Sequence, residues 1–385
     1  MSLHKKHRLI LQLVLIMGIL LILQAATILL LGYWKLLAEI VAAIAWIFFL
    51  GIIITFLALQ IIHNFRFERS FHPEKIKITS LPVLKKFKLL NPLENAGIYH
   101  KAQLHTHSSL SYDSNVHSLK IIESYKKSGY KILAITDHDV LSDFSTLSTS
   151  EMLILPGIEE TIPVLFWPIP LGKHMVLINP LEKRPHRQTL QERLNQAVDI
   201  DMLVIPAHLS WRGGAGTGRW YPDELYRLKH LQFIEIYNPH SKDPLDLTIW
   251  HKLNVRGGPL HPVWGIAVDD SHSGSCGAGW VMLKTPRLDL VSVITNIKKG
   301  AFYATNGPSN VDIKVAGTKV YVNSPDSNWI RFINAQNQVT QATRGEQSIY
   351  QCSGDEGFIR VEVTDKNHRT AWSQPMWLVA EDRKS

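Results

Sequence analysis

The chain of 385 residues has little cysteine, with only Cys276 and Cys352 present. They are far apart and outside any C-x-x-C pattern, so the sequence excludes the disulfide framework of a small secreted domain. A cytoplasmic location would keep both thiols reduced. Neither is placed as a nucleophile with a base beside it.

Charge is missing from two long runs near the start. Residues 9–31 hold no charged side chain, and residues 36–62 hold only Glu39. A membrane-spanning helix needs about 20 apolar residues, so each run is long enough to be one. Neither run has the amphipathic period of a buried core helix, and the first lacks the small-residue cleavage site of a signal peptide. We therefore predict that residues 1–62 contain two transmembrane helices, at about 9–31 and 36–62.

The remainder of the chain lacks a basic surplus. Of 41 Lys and Arg and 33 Asp and Glu, residues 1–90 hold 11 and 3, which leaves 30 of each sign in residues 91–385. A nucleic-acid-binding domain would carry the surplus itself, so no nucleic acid is expected as a partner. The basic residues flank the apolar runs, and the positive-inside rule places both termini in the cytoplasm. We predict an integral protein of a bacterial-type inner membrane, with the lipid bilayer as a partner.

Three segments follow the apolar runs. Residues 63–97 form a basic linker punctuated by proline, which could also contact anionic lipid. In residues 98–308, seven short apolar runs alternate with helix-like stretches, which favours an α/β fold with a parallel sheet, open or closed into a barrel. Residues 309–385 alternate apolar and polar residues between turn clusters such as "NSPDSN", which predicts a small all-β domain of sandwich type.

Residues that bind metals stand at the ends of most of these seven runs. In "KAQLHTH", His105 and His107 are two apart, so both project from one side of an extended backbone. The full set is six histidines and three carboxylates: His105, His107, Asp113, His138, Glu159, His174, His208, Asp270 and His272. One such residue could be ordinary, but their recurrence at strand ends predicts a shared site. Five further histidines are interpreted as surface or loop residues: His186, His230, His240, His251 and His261.

The ligand types indicate which metals the site would hold. Mixed imidazole and carboxylate ligands without thiolate suit Zn²⁺, Mn²⁺ or Fe²⁺. Nine ligands are too many for one ion. The sequence therefore predicts two or three divalent ions, with a carboxylate such as Glu159 as a bridge.

Five strings occur in a recognisable order: "LHTHSSLSYDS", "AITDHD", "PGIEE", "PAH" and "DDSH". They resemble the motifs of the polymerase-and-histidinol-phosphatase (PHP) superfamily of metal-dependent phosphoesterases. The resemblance covers roughly residues 97–308 and implies a distorted (β/α)7 barrel with a dinuclear or trinuclear site at the strand ends. "KKGAFYATNGP" and "RTAWSQPMWL" are similar to the carbaryl-hydrolase-type subgroup, which has a β-rich C-terminal domain.

The resemblance also implies how the ligands are shared. The implied sets are His105, His107, Glu159 and Asp270 for one ion; His208 and His174 with the bridging Glu159 for a second; and Asp113, His138 and His272 for a third. His174 starts its strand instead of ending it, and Asp113 stands where some relatives have histidine. Asp137 and Asp269 would support the ligands without binding a metal.

The leading interpretation is a membrane-anchored phosphoesterase in which paired cations activate water against a small phosphorylated metabolite or nucleotide. The stretch "WRGGAGTGR" is not a P-loop, and we interpret Arg212 or Arg219 as a contact for the phosphate. A flexible lid with two solvated arginines is the alternative there. The same site could instead hydrolyse a carboxyl ester, amide or carbamate. A non-catalytic sensor or interaction module is disfavoured because the ligand set is complete, and the sequence identifies no protein partner.

Overall fold

The computed structural model describes residues 3–30, 35–71, 83–94, 96–163, 172–180, 189–213, 217–241 and 243–381. Its helices are α1 Leu3–Leu30, α2 Lys35–Phe71, α3 Ser118–Lys127, α4 Leu190–Asp199, α5 Pro222–Leu225, α6 Asp243–Gly257 and α7 Leu290–Lys298. The strands of the central segment are β1 Phe87–Leu90, β2 Ile98–Gln103, β3 Ile132–Ala134, β4 Leu153–Leu155, β5 Gly157–Pro163, β6 Gly172–Ile178, β7 Leu203–Pro206, β8 Phe233–Tyr237, β9 Trp264–Ala267, β10 Trp280–Thr285 and β11 Phe302–Thr305. The C-terminal strands are β12 Asp312–Ala316, β13 Lys319–Asn323, β14 Ser327–Asn334, β15 Val339–Arg344, β16 Gln347–Gln351, β17 Phe358–Asp365, β18 Thr370–Ser373 and β19 Met376–Ala380.

Two apolar helices begin the chain. Within the described residues one helix, Ala38–Phe67, is long and apolar enough to cross a membrane, while α1 contains a shorter apolar stretch, Leu13–Thr27. Large apolar side chains on α2 are exposed, with Ile47 and Phe48 each 70% accessible. Exposed apolar surface of this extent is costly in water and favourable in lipid. The turn between the helices, residues 31–34, lies outside the described residues.

The central segment is a mixed α/β structure, as the sequence predicts. All seven apolar runs form strands, and β2, β3 and β4 pair in parallel. The third run divides at Pro156, because proline cannot donate to a ladder. Gly157 follows at a close approach, where a Cβ would lie 2.9 Å from the carbonyl oxygen of Ile135.

Among the described residues the hydrogen-bonded sheets do not close into a barrel. One sheet runs β1-β19-β17-β18-β11-β10-β2-β3-β4, with β14 and β15 attached to it through β17. Separate sheets join β5-β6-β7, β8-β9 and β12-β13-β16. The β5-β6-β7 sheet is antiparallel, because the short connection from β5 to β6 cannot supply the crossover that a parallel pair needs.

The C-terminal strands continue the large sheet. β18 pairs with β11, and β19 pairs with β1, which lies inside the segment expected to be a linker. The sheet β12-β13-β16 contributes apolar side chains to the same core as β14 and β17, including Val320, Phe332 and Val361. The metal-ligand segment and the C-terminal strands therefore share a core.

Helix α3 links this core to the centre of the molecule. Its N-cap residue His117 accepts a hydrogen bond from the backbone N–H of Leu119, and Ile121 and Tyr125, four apart, are buried on one face. The Tyr125 hydroxyl donates to Asp269 at 2.9 Å. The helix thereby holds the loop that follows β9.

Candidate metal centre

The loop after β2 brings two imidazoles to the centre of the molecule. His105 and His107 are completely buried. Their backbone is tied to the loop after β9, since the N–H of Asp270 donates to the His105 carbonyl and the N–H of His107 to the Ser271 carbonyl, each at 2.9 Å. These bonds bring the two Nε2 atoms to 3.1 Å from each other.

Four donor atoms from three loops and strands form a compact group. Nε2 of His105 lies 3.2 Å from Oε2 of Glu159 and 3.4 Å from Oδ1 of Asp270. Nε2 of His107 lies 3.2 Å and 3.1 Å from the same two oxygens. Tetrahedral ligands at about 2.0–2.1 Å from an ion lie about 3.3–3.4 Å from one another. The group therefore fits one divalent ion, and it contains the four residues that the resemblance implies for the first ion.

The electrostatics of this group favour a bound cation. Burial lowers the pKa of His105, but the carboxylates of Asp270, Glu159 and Glu235 outweigh burial and raise that pKa well above its ordinary value. Burial likewise lowers the pKa of His107, but the hydrogen bonds that its imidazole donates to Asp270 and Glu159 raise that pKa to about 9. Burial raises the pKa of Glu159, but the surrounding imidazoles hold it well below its usual range. Buried carboxylates that remain charged need positive charge beside them, and a divalent ion supplies it.

Three more histidines surround Glu159. Its Oε1 lies 2.9 Å from Nδ1 of His174 and 3.0 Å from Nε2 of His208, while its Oε2 lies 3.0 Å from Nδ1 of His138. The contact of Glu159 with His138 lacks the geometry of a hydrogen bond, and Nδ1 of His208 is buried without a hydrogen-bond partner in the described part of the chain. Both oxygens of Glu159 thus face imidazole nitrogens, as a carboxylate shared by two ions requires.

The position of His174 follows from strand direction. His174 lies near the start of β6, and His208 follows the end of β7. The two strands are antiparallel, so the start of one lies beside the end of the other. The backbone N–H of Ala207 donates to the His174 carbonyl at 3.0 Å. A histidine at the start of a strand can therefore join ligands that follow strand ends.

The third predicted set also comes together, but it shares His138 with the second. Oδ2 of Asp113 lies 3.3 Å from Nε2 of His138 and 3.2 Å from Nε2 of His272. The His107 and His272 rings stack at 4.1 Å between centroids. His138 faces Asp113 with one nitrogen and Glu159 with the other, so its ring lies between the two sets instead of within the third alone.

Two ligand-bearing positions have strained backbone. His208 has a φ of 31° and Asp270 a φ of 44°. Non-glycine residues adopt positive φ rarely and at a cost of about 1–3 kcal/mol, and such strain is found mainly at functional sites. The strain turns both side chains toward the group immediately after their strands end.

The two aspartates predicted to support the ligands accept hydrogen bonds from backbone loops. Asp137 accepts from the backbone N–H of Ser108 at 2.6 Å and from its hydroxyl at 2.8 Å. Oδ1 of Asp269 accepts from three consecutive backbone N–H groups, those of residues 277–279, at 2.6–3.0 Å. Each carboxylate fixes a loop next to candidate metal ligands.

Sequence reasoning missed Glu235 and Asn238. Nδ1 of His105 donates to Oε1 of Glu235 at 2.7 Å, and Oε2 of Glu235 accepts from the backbone N–H of His208 at 2.6 Å. Asn238 donates to Glu235 at 2.8 Å and to Asp270 at 3.1 Å. The signal in the sequence was a glutamate inside the apolar strand "FIEIYN", where a charge must have a partner.

The arginines of "WRGGAGTGR" occupy different environments. Arg212 is exposed. Arg219 is 4% accessible, donates to Asn64 of α2 at 2.9 Å and lies over the Phe67 ring at 4.5 Å. Trp211, which begins the stretch, lies 4.7 Å from the His208 ring and 5.3 Å from the His174 ring. Contact of either arginine with phosphate stays a prediction.

Two histidines interpreted as surface or loop residues have other surroundings. His251 is 6% accessible and donates from Nε2 to the carbonyl of Ala335 at 3.0 Å, which joins α6 to the C-terminal strands. His240 is exposed but lies beside the cluster, with Nε2 3.1 Å from the Asp270 carbonyl. His186 lies outside the described residues, whereas His230 and His261 are exposed as expected.

No protein-family model matches the chain, and no curated protein matches it. Among solved structures, the chain is similar to a two-domain protein from Bacteroides vulgatus, which is described as containing a predicted PHP-like metal-dependent phosphoesterase. The two chains are 14% identical, the match covers 78% of this chain and 97% of that chain, and the TM-score is 0.42. The chain resembles a PHP-like protein. A second similar structure is an amidohydrolase from Chromobacterium violaceum with bound sulfate and no metal, with 14% identity, 45% and 87% covered, and a TM-score of 0.32.

The description of the first structure agrees with the resemblance seen in the motifs. At 14% identity and these TM-scores, neither likeness carries an argument about substrate. The inference about chemistry therefore comes from the side chains of this chain. Membership of the carbaryl-hydrolase-type subgroup stays a prediction.

Proposed function

We propose that the chain is a membrane-anchored, metal-dependent phosphoesterase that hydrolyses a phosphomonoester. The observation that carries the proposal is a group of four buried donor atoms, supplied by His105, His107, Glu159 and Asp270, in which each imidazole nitrogen lies 3.1–3.4 Å from the other three atoms. Imidazole and carboxylate ligands without thiolate are typical of Zn²⁺, Mn²⁺ or Fe²⁺ sites in hydrolases. Two or three such ions would lower the pKa of bound water and offset charge on the leaving oxygen.

The charge of the site supports an anionic substrate. Four carboxylates line the cluster, those of Asp113, Glu159, Glu235 and Asp270, so two divalent ions would neutralise it and a third would leave a formal charge of +2. A surplus of positive charge at a buried site attracts an anion strongly. A phosphomonoester dianion matches that surplus better than a neutral ester or amide.

The residues of the chain hold the site rigid. Glu235 keeps the proton of His105 on Nδ1, which leaves Nε2 free to bind a metal. Asn238 joins Glu235 to Asp270 and so sets the position of both carboxylates. Asp137 fixes the loop that carries His107 and Asp113. These contacts limit the reorganisation that the site must undergo during reaction.

The remaining parts of the proposal concern the membrane and the fold. We propose that α1 and α2 form a transmembrane hairpin with both termini and the catalytic segment in the cytoplasm, supported by the basic residues at its ends. We propose that the strand-end ligands occupy a core related to the distorted (β/α)7 barrel, supported by the order of the motifs. A nucleic acid substrate is not part of the proposal, because residues 91–385 have no net charge.

The test uses the full chain in detergent or vesicles. Metal content is measured, and phosphate release is assayed with a panel of phosphomonoesters in the presence of Zn²⁺, Mn²⁺ or Fe²⁺. The variant His105→Ala is expected to lose metal and activity, while the matched control His261→Ala, at an exposed histidine, keeps both. Cleavage of an aryl ester without any phosphate release would replace the phosphoesterase by a carboxyl-ester or amide hydrolase.

A further inference from the structure

The end of α2 packs against the segment that carries the metal ligands. His63 hydrogen-bonds with the hydroxyl of Tyr221, Arg219 donates to Asn64 at 2.9 Å, and Arg66 donates to Glu224 at 3.1 Å. These contacts lie within the apolar stretch that ends at Phe67. The catalytic segment therefore touches the candidate membrane span itself.

The opposite face of the same two turns is apolar and exposed. Ile61, Ile62 and Phe65 are 68%, 58% and 66% accessible. At 100° per residue they lie on the side of the helix away from His63 and Asn64. Lipid is the medium that covers such a face favourably. The bilayer must then extend to the level at which the catalytic segment contacts α2.

The surface that receives α2 is only one or two side chains from a metal ligand. The ammonium group of Lys173 bonds to Glu224 and lies 4.6 Å from the centre of the Tyr221 ring. Lys173 immediately precedes His174, so their Cα atoms are about 3.8 Å apart. The indole of Trp220 donates to the His174 carbonyl at 3.1 Å. Residues 219–221 thus contact α2 on one side and His174 on the other.

On the basis of the phosphoesterase function proposed above, we propose that the substrate is a phosphomonoester lipid whose headgroup reaches the cluster from the cytoplasmic surface of the bilayer. The headgroup layer is about 5–8 Å thick on each side of the hydrocarbon core, and the side chains of Arg219 and Trp220 connect the end of the span to His174. Arg66, about half exposed, and Arg69, exposed, place positive charge at this level. Guanidinium groups there attract anionic lipid.

The reaction on such a lipid balances without a further reactant. The oxygen of one water molecule forms a new bond to phosphorus, and the bond between phosphorus and the lipid oxygen breaks. The lipid oxygen takes up a proton from that water. The products are inorganic phosphate and a neutral lipid alcohol that remains in the bilayer.

The test compares one headgroup in two physical states. The full chain is reconstituted with Mn²⁺ in phosphatidylcholine vesicles that contain long-chain phosphatidic acid, and a parallel sample receives water-soluble short-chain phosphatidic acid. Phosphate release from the embedded lipid is expected to be roughly tenfold faster at equal total concentration, because enzyme and lipid share one surface. Two soluble probes test the cluster without a lipid. Inorganic phosphate serves as an inhibitor, and an aryl phosphate serves as a substrate.

Variants of α2 separate membrane presentation from chemistry. The double variant His63→Ala and Asn64→Ala removes two of the contacts with the catalytic segment, and it should slow hydrolysis of the embedded lipid several-fold without changing the rate on the short-chain lipid. Arg287→Ala, a surface arginine that pairs with Asp289, is the matched control and should change neither rate. Thermal melting and metal content identify a variant that fails to fold, in which case Asn64→Ala alone is used.

The outcomes distinguish the two proposals. Equal rates on the embedded and soluble lipids, or hydrolysis of soluble phosphomonoesters alone, would overturn the lipid inference and leave the phosphoesterase function in place. Release of phosphate from none of the substrates with any of the three metals would overturn both. A faster rate on the embedded lipid that depends on the α2 contacts supports the lipid inference.

Discussion

Replacement of Glu235 by glutamine tests whether the site is organised around a metal. The carboxylate accepts on one oxygen from Nδ1 of His105 and on the other from the backbone of His208 and the amide of Asn238. Glutamine has the same shape but only one acceptor oxygen. If that oxygen serves His208 and Asn238, the amide NH₂ faces His105 and forces its proton to Nε2. A protonated Nε2 cannot bind a metal.

The expected loss can be estimated from comparable contacts. Removal of a carboxylate that orients a metal-binding histidine typically lowers metal affinity 10–100-fold, or about 1.4–2.8 kcal/mol. The upper half of that range is expected for Glu235→Gln, because the substitution leaves a donor facing a donor at a completely buried position. The measurement is a competition titration of Zn²⁺ against a chelator.

The matched control is Glu356→Gln in the C-terminal strands. Glu356 is also buried and accepts from the backbone N–H of Ser353 at 2.6 Å and from the Tyr350 hydroxyl at 3.0 Å. Glu356→Gln should lower the midpoint of thermal unfolding by about as much as Glu235→Gln does, and it should leave Zn²⁺ affinity unchanged. If Glu235→Gln binds Zn²⁺ as tightly as the unmodified chain, then Glu235 does not prepare His105 for metal binding and the reasoning is refuted.

Three further predictions concern protons, loops and the arginines. Because the pKa of His107 is raised to about 9, the metal-free protein binds a proton there at neutral pH. Metal binding should therefore release protons and become tighter as pH rises toward 9. Calorimetry in buffers of different ionisation enthalpy measures the proton release, and a heat of binding that does not depend on the buffer would contradict it. Asp269→Asn should lower the free energy of unfolding by about 1–3 kcal/mol, since the amide donor would face the N–H groups of residues 277–279 or the Tyr125 hydroxyl. An unchanged denaturation midpoint would show that the contacts of Asp269 with these groups do not stabilise the fold. Arg212→Ala should reduce kcat/KM for a phosphomonoester by about 10–100-fold if its guanidinium binds phosphate, whereas unchanged kinetics for both Arg212→Ala and Arg219→Ala would exclude the phosphate contact.

The local pattern of the sequence was sufficient to locate the nine metal-binding candidates. His105 and His107 stand two apart after an apolar run, and Asp270 and His272 repeat that spacing after another. Strand ends collect polar residues because the chain leaves the core there, so the positions could be found without knowledge of the sheet. The structure places these candidates within one contiguous cluster, which His208 joins through its contact with Glu159.

Long-range pairing could not be predicted in the same way. Glu235 lies within an apolar strand, and its partner His105 is 130 positions away. His251 was interpreted as a surface or loop residue because it lies outside the strand-end pattern, and nothing near it in the sequence indicates the carbonyl of Ala335, 84 positions later. The positive φ of His208 and Asp270 depends on the surrounding packing, not on the identity of either residue.

Sheet topology shows the same limit. The alternation of strands and helices predicted parallel pairing, and β2, β3 and β4 follow it. The antiparallel direction of β6 depends on its pairing with β5. Residue periodicity does not encode that pairing. The antiparallel direction is what allows His174 to reach Glu159.

The pairing of β1 with β19 sets a constraint on synthesis. Phe87 pairs with Ala380, which is 380 − 87 = 293 positions later in the chain. At 5–20 residues per second, a ribosome needs about 15–60 s to make that partner after Phe87 has been added. With the membrane anchoring proposed above, α2 is available for insertion during this interval, before the last strand can complete the sheet. The edge of β1 that β19 covers stays unpaired until then and is open to chaperones or to neighbouring chains.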